Sequence, residues 1–347
     1  MILHNKINKQ QLKQQLIHEP FRRKTLSFYR YVILEDPVSF RNMLYEKLFA
    51  LNSFGRIYVA AEGINAQMSV PEDHYLQLRE VIDSIEALSG VHFNEAIEDD
   101  GRSFYKLTIK VREKIVADGL PAGDYDVTNV GNHLSALEFH ELIGQPDTLV
   151  VDMRNHYESE IGHFQAAYLP ESDTFEEAIS KVSKDLAAEK DKKLLLYCTG
   201  GIRCEKASAY LRERGFSDVN QLQGGIIEYA RQVKQHGLAP KFLGKNFVFD
   251  ERLGERIGKE IISHCHQCGV PCDTHTNCAN DDCHLLFIQC DACREKHEGC
   301  CSEECQHVLH LPEEERIKAR VPNRTRYSKS KIFNNSLKRR FAASLKG

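Results

Sequence analysis

Lys193-Leu194-Leu195-Leu196-Tyr197-Cys198-Thr199-Gly200-Gly201-Ile202-Arg203-Cys204-Glu205-Lys206-Ala207 is the stretch that decides the reading of this chain. Its first five residues form an apolar, strand-like run, and residues 205–215 read as a helix. A cysteine at the end of a strand, followed by two glycines and a helix start, describes an anion cradle. Backbone N–H groups of the loop and of the helix N-terminus converge on the sulfur. The same groups lower a thiol pKa, so Cys198 is expected to be a thiolate near neutral pH. A buried structural cysteine in a strand-to-helix turn would need neither the adjacent glycines nor Arg203.

Outward from this loop, residues 149–152 and 218–222 read as further short strands, and residues 175–189 as a helix. Strands alternating with helices predict an α/β domain with a mainly parallel sheet over residues 125–240. Cys198 then lies at a strand's carboxyl end, where such sheets carry their sites. Residues 1–124 read differently. Strands are expected at 26–34, 55–61, 64–70 and 107–111, with helices at 37–52 and 71–88. This β-α-β-β-α-β order is the ferredoxin-like (acylphosphatase-like) plan, an α+β domain with two helices on one face of an antiparallel sheet.

Of the 12 cysteines, ten fall between Cys265 and Cys305. No apolar run approaches the roughly 18 residues of a membrane span. Met1-Ile2-Leu3-His4-Asn5-Lys6 lacks a signal-peptide core, so the default compartment is the reducing cytoplasm. There, clustered cysteines point to metal rather than disulfides. Residues 241–315 are therefore expected to form a Cys-rich metal-binding module. Close pairs let two thiolates from one turn reach one tetrahedral ion. The spacing suggests one site from Cys265, Cys268, Cys290 and Cys293, and another from Cys278, Cys283, Cys301 and Cys305. Cys272 and Cys300 are left over and can replace members of either set, as can His264, His266, His284 and His297. Structural zinc is the expected occupant and an iron–sulfur cluster its competitor.

The net charge of −4 hides an asymmetry: residues 316–347 carry 11 Lys or Arg and no Asp or Glu, leaving 35 basic against 50 acidic residues elsewhere. A basic tail on an acidic body suggests a polyanionic partner. Tyr327, Phe333 and Phe341 between the charges suit base stacking.

The motifs now point to families. The Cys198–Arg203 loop resembles the active site of rhodanese domains. Val151-Asp152-Met153-Arg154, Glu158 and Gly162-His163-Phe164 are similar to the upstream rhodanese signature, and Gly215-Phe216, Val219 and Leu222-Gln223-Gly224-Gly225 to the downstream one. Ala166 departs from that pattern, which usually has Gly there. Related phosphatases carry one more residue between Cys and Arg, so this loop is sized for sulfur and not phosphate. On this resemblance Arg203 holds the loop or a substrate anion, and Asp152 and Arg154 brace the site. Cys204 either resolves an oxidised Cys198 or, as the helix direction favours, points into the core. His163 reads as a structural hydrogen-bonding residue.

With residues 55–65 (Gly55-Arg56-Ile57-Tyr58-Val59-Ala60-Ala61-Glu62-Gly63-Ile64-Asn65) and residues 110–116 (Lys110-Val111-Arg112-Glu113-Lys114-Ile115-Val116), the whole chain resembles the bacterial rhodanese-domain tRNA uridine hydroxylases. The resemblance implies oxygen-dependent formation of 5-hydroxyuridine at wobble position 34, with molecular oxygen as co-substrate and the tRNA anticodon loop as partner. It carries over Cys198 as catalytic, within the active-site loop Thr199, Gly200, Gly201, Ile202 and Arg203. The turn at Glu62-Gly63-Ile64-Asn65 is either structural or a loop that meets Cys198 across the domain interface and contacts uridine. Two routes are open for Cys198: addition of the thiolate to uridine C6, or delivery of oxygen by an oxidised or persulfidated sulfur. Competing functions are a persulfide carrier and a zinc-bearing RNA-binding regulator. The intact loop argues against the regulator, and the N-terminal domain and basic tail against a bare sulfur carrier.

Overall fold

The computed structural model describes residues 9–121, 123–283, 285–312 and 314–316. Of the basic tail only Arg316 falls within these, and His284 lies outside them. In chain order the elements begin with α1 (Lys9–Ile17), β1 (Arg23–Tyr31), α2 (Pro37–Ala50), β2 (Phe54–Ala60), β3 (Gly63–Pro71), α3 (Tyr75–Asp83), β4 (Asn94–Glu95) and β5 (Leu107–Val111). Asp36 starts α2 by accepting hydrogen bonds from Val38 N and Ser39 N, with Pro37 in the first turn. Leu44 and Leu48 of α2 and Leu78 and Ile82 of α3 pack on Leu26, Phe28, Ile57, Val59, Ile64 and Met68, covering one face of the sheet.

The strand order is β4-β1-β3-β2-β5. This corrects one detail of the sequence reading. Residues 107–111 form a strand as expected, but they do not close the ferredoxin-like motif. The two-residue β4 takes that place beside β1, and β5 runs parallel to β2 at the opposite edge. The sheet is therefore mixed.

The second unit holds β6 (Asn132–Leu134), α4 (Ala136–Leu142), β7 (Thr148–Asp152), α5 (His156–Ser159), β8 (Gly162–Phe164), α6 (Phe175–Asp185), β9 (Lys193–Tyr197), α7 (Ile202–Glu213), β10 (Asp218–Leu222) and α8 (Gly225–Gln235). Its sheet, β6-β10-β9-β7, is wholly parallel. Leu194 and Leu196 of β9 pack on the α6–α7 side, and Leu195 and Tyr197 on the α4–α8 side. Burial on both faces explains the unbroken apolar run that precedes Cys198. Ala166 has φ +55°, in the left-handed region that favours glycine.

The third unit follows with β11 (Phe242–Asn246), β12 (Glu255–Arg256), β13 (His275–Asn277), β14 (Leu286–Ile288), α9 (Asp291–Lys296) and α10 (Glu303–His310). β11 pairs antiparallel with both β8 and β12, so the Cys-rich unit is joined to the central domain by a shared sheet. Gly162 and Gly244 face each other in that pairing, and a Cβ on either would lie within 2.2 Å of a carbonyl oxygen across it. Among the described residues no helix is long and apolar enough to cross a membrane.

Candidate functional site

The loop from Cys198 to Arg203 joins β9 to α7 and is held from three sides. Beneath it, Ile226 N and Ile227 N at the start of α8 donate to Cys198 O and Thr199 O, at 3.0 and 3.2 Å. A Cβ on Gly225 would sit 2.6 Å from both of these carbonyl oxygens, which is the physical reason for a glycine there. Within the loop, Gly201 N donates to Cys198 Sγ at 3.2 Å, and Gly201 has φ +98°. Beside it, the Arg203 guanidinium donates to both oxygens of Glu158, at 2.6 and 2.8 Å. Both side chains are buried. Arg203 is thereby tied to α5, with its charge engaged by a carboxylate.

A second buried pair braces the floor. Arg154 reaches Asp152 through Nε and Nη2 and donates to Gly162 O at 2.6 Å, while Tyr197 Oη donates to Asp152 at 2.7 Å. This is the bracing expected of Asp152 and Arg154. His163 is mostly buried, and burial lowers its pKa.

Burial pushes the Cys198 thiol up, but opposing effects outweigh it: a hydrogen bond from the Cys204 side chain, the Arg203 charge, and the backbone N–H groups of Arg203 and Cys204. The result is a pKa of about 6. Cys204 is itself fully buried, and burial and the Cys198 charge raise its pKa well above the ordinary thiol value. It is thus both a core residue and a partner of the active-site sulfur.

The N-terminal domain closes over this loop. Tyr29 Oη donates to Glu205 at 2.9 Å, Tyr31 Oη donates to Ile202 O at 3.3 Å, and Asn94 Nδ2 donates to Gly200 O at 3.4 Å. Lys206 ties the two domains and their connection together. Its buried ammonium donates to Glu62 and Asp118 at 3.0 Å and to Val116 O at 3.1 Å. Glu62 also accepts from Ile115 N at 2.7 Å. The turn at Glu62-Gly63-Ile64-Asn65 thus meets the central domain at Lys206, and its Asn65 lines the same cavity as Cys198.

Between the domains lies a cavity of about 300 Å³ that reaches Cys198, Thr199 and Gly200. Its opposite wall is Arg56, Tyr58, Asn65 and Gln67 from the N-terminal sheet, and Phe249 comes from the third unit. Sequence reasoning quoted Arg56, Tyr58 and Asn65 within the 55–65 motif but offered a site role only for the turn that ends in Asn65. The available signal was the outward-facing alternation of β2 and β3, which looks the same in any half-exposed sheet.

In the third unit, the thiols of Cys265, Cys268, Cys290 and Cys293 lie within 4.8 Å of one another, as do those of Cys278, Cys283, Cys301 and Cys305. These are the two sets the spacing suggested. Sulfur–sulfur distances of 3.6 Å for Cys268–Cys290 and Cys283–Cys301, and 3.7 Å for Cys301–Cys305, match the ~3.8 Å edge of a tetrahedron with metal–sulfur bonds of about 2.3 Å. Cys290 N and Cys301 N donate to Cys265 Sγ and Cys278 Sγ, both at 3.4 Å, as N–H groups do toward metal-bound thiolates. Each quartet can hold a metal ion. Cys272 and Cys300 are buried outside both, and His266 is bonded to Glu160 at 3.1 Å.

Comparison with known proteins adds to this geometry. Family models described as UPF0176 acylphosphatase like domain, Rhodanese-like domain and Rhodanase C-terminal match residues 23–115, 135–232 and 243–306. The chain is 54% identical over 336 residues to the tRNA uridine(34) hydroxylase of Yersinia enterocolitica, covering 96% of this chain and 95% of that protein. It is 52% identical to the protein of the same name from Escherichia fergusonii, with the same coverage. Among solved structures, a rhodanese-like domain from Anabaena sp. matches 29% of this chain and 74% of its own at 22% identity, with a TM-score of 0.25.

Proposed function

The chain belongs to the tRNA uridine(34) hydroxylase family, and from that premise we propose that it converts uridine 34 of tRNA to 5-hydroxyuridine with Cys198 as the catalytic residue and molecular oxygen as co-substrate. One observation carries the reading: Cys198, its pKa lowered to about 6, is buried at the wall of a cavity whose far side comes from a different domain. A sulfur carrier needs only the loop. A cavity lined by the amides of Asn65 and Gln67 and the ring of Tyr58 suits a nucleobase, since an amide matches the adjacent donor and acceptor of uracil. Its size lies at the low end for small-molecule pockets.

At neutral pH the Cys198 thiolate is the nucleophile. Its sulfur adds to uracil C6, and the C5–C6 π pair moves toward O4 as an enolate. C5 becomes electron-rich and takes one oxygen atom from O₂. Loss of the C5 proton and departure of the thiolate restore the C5–C6 double bond. The second oxygen atom leaves as water, which requires two electrons and two protons from an external reductant. Thr199, Gly200, Gly201, Ile202 and Arg203 hold the sulfur, with Arg203 acting through Glu158. In the two thiol quartets we assign structural zinc: four thiolates with tetrahedral spacing are its preferred closed site.

Nucleoside mass spectrometry tests the reading. In cells lacking this gene and any redundant pathway, 5-hydroxyuridine in tRNA is expected to disappear, to return with the wild-type gene, and to stay absent with Cys198→Ala. Restoration by Cys198→Ala would reject cysteine chemistry. tRNA carrying 5-fluorouridine at position 34, which has no C5 proton to lose, should trap a Cys198–RNA adduct resistant to denaturation.

A further inference from the structure

Beyond the cavity, the open face of the N-terminal sheet is laid out in two cross-strand rows. Pairing places Lys110 beside Tyr58, Tyr58 beside Asn65, and Asn65 beside Tyr29. The neighbouring row runs Thr108, Arg56, Gln67, Ser27 and Asn94. The rows end on the active-site loop and the first turns of α7, through Asn94 to Gly200 O and through Tyr29 to Glu205. At strand spacings of about 4.8 Å the first row is roughly 14 Å long and the second roughly 19 Å.

At its outer end lies a groove along β5 lined by Arg41, Arg56, Tyr58, Lys106, Lys110 and Arg112, and by no carboxylate. Arg56 and Tyr58 line both this groove and the Cys198 cavity, so the two are continuous. Arg56, Lys106, Lys110 and Arg112 are exposed, and none of the five cations forms an ion pair among the described residues. Arg41 Nε is buried without a hydrogen-bond partner among them. Lysines on an edge strand can serve merely to block sheet-to-sheet pairing. That purpose does not call for Arg56 and Tyr58 on the inner strand β2, where they carry charge and an aromatic ring toward the sulfur.

We propose that this face is the track for the single-stranded RNA flanking the target nucleotide: Arg56, Lys106, Lys110 and Arg112 meet its phosphates, and Tyr58 stacks a base at the cavity mouth. The inference rests on the tRNA reading above and adds the surface by which the substrate is held. Cations without carboxylate partners complement a polyanion, and Tyr58, with the Arg112 guanidinium 5.7 Å from its ring centre, supplies sequence-tolerant stacking on the same face.

The test uses the full chain and an anticodon stem–loop transcript with an unmodified uridine at position 34. Binding is measured over a salt series. For Arg56→Gln/Lys110→Gln/Arg112→Gln, Kd should rise roughly tenfold or more, and the slope of log K against log salt should flatten by about 2, some 0.7 for each phosphate no longer neutralised. Tyr58→Ala should weaken binding several-fold without changing the slope, and Tyr58→Phe should bind as wild type. A control triple on the central domain, Lys181→Gln/Lys184→Gln/Lys234→Gln, should change neither quantity. The denaturant-unfolding midpoint should match wild type in every variant and so exclude misfolding. Wild-type affinity and slope in the first triple would overturn the track even while the enzyme still makes 5-hydroxyuridine. Loss of binding in that triple by an enzyme that makes none would leave the track standing and remove the hydroxylase reading. An absence of RNA binding by wild type would remove both.

Discussion

Arg203 and Glu158 form a two-pronged ion pair at 2.6 and 2.8 Å, buried between the active-site loop and α5. The pair spans 45 residues of sequence and fixes the guanidinium at the head of α7, where its charge helps hold Cys198 as a thiolate. Removing one partner of such a pair strands the other charge in a dry site, at a cost of about 3–5 kcal/mol. Glu158→Gln should therefore lower unfolding stability by about that amount in denaturant titration. Adding Arg203→Met to it should cost less than the sum of the two single changes, because no stranded charge then remains. Additive losses would show that the pair is not coupled.

Lys206 supports a second prediction. Its ammonium is shared by Glu62 of the N-terminal domain and by Val116 and Asp118 of the connection. Lys206→Met keeps the bulk of the side chain and leaves two carboxylates without their common partner. The N-terminal domain should loosen from the central one while each keeps its own core. Hydrogen exchange should quicken at residues 114–120, and kcat/KM should fall at least tenfold with little change in secondary structure. Unchanged exchange there would mean that other contacts hold the domains.

These two residues also mark where the sequence stopped being informative. The cysteine loop and the two thiol quartets were legible because their chemistry is local: paired ligands with two to four residues between them, or a strand, two glycines and a helix in succession. The partners of Arg203 and Lys206 were not, since Glu158, Glu62 and Asp118 lie 45 to 144 residues away. An arginine in such a loop reads equally as a loop brace or an anion holder until its carboxylate is seen. β4 has two residues, too few for any periodicity, so the alternation at Leu107–Val111 was assigned to its place. The cavity wall is assembled from Arg56, Tyr58, Asn65 and Gln67, which in sequence are ordinary polar alternates of half-buried strands.

Ala166 gives a prediction about stability alone. A non-glycine residue in the left-handed region carries a strain of roughly 1–2 kcal/mol, partly offset because alanine restricts the unfolded chain more than glycine does. Ala166→Gly should raise stability by about 0.5–1 kcal/mol in denaturant titration and leave kcat unchanged. A loss of stability would show that the alanine methyl makes contacts worth more than the strain.

The thiol quartets predict a metal requirement for folding. Their unit packs two small cores in which cysteines themselves are prominent. So little apolar area needs a further tie, and bound metal supplies it. Elemental analysis should find two zinc ions per chain in a colourless protein. A strong chelator should release both and unfold residues 263–310 first, read by faster hydrogen exchange there. Cys283→Ser should reduce the content to one. Iron with acid-labile sulfide would replace the zinc assignment with a cluster.

The active-site thiol carries the last prediction, in pH. The Cys198 pKa of about 6 means that the reactive thiolate predominates above that pH and falls tenfold for each unit below it. Alkylation of Cys198 by iodoacetamide, followed at its own peptide, should be flat at neutral pH and half-maximal near pH 6. The acid limb of kcat/KM should share that inflection, because the same ionisation makes the nucleophile. Cys204 should stay unmodified, since its own pKa is raised well above the ordinary thiol value. Cys204→Ala removes a hydrogen bond that stabilises the thiolate, so the inflection should move upward, toward the ordinary thiol value. Cys204→Ser keeps a donor at that position and should hold the inflection near 6. If the alanine variant instead titrates like wild type, the contact between the two sulfurs has no part in activation, and the Arg203 charge and loop amides act alone.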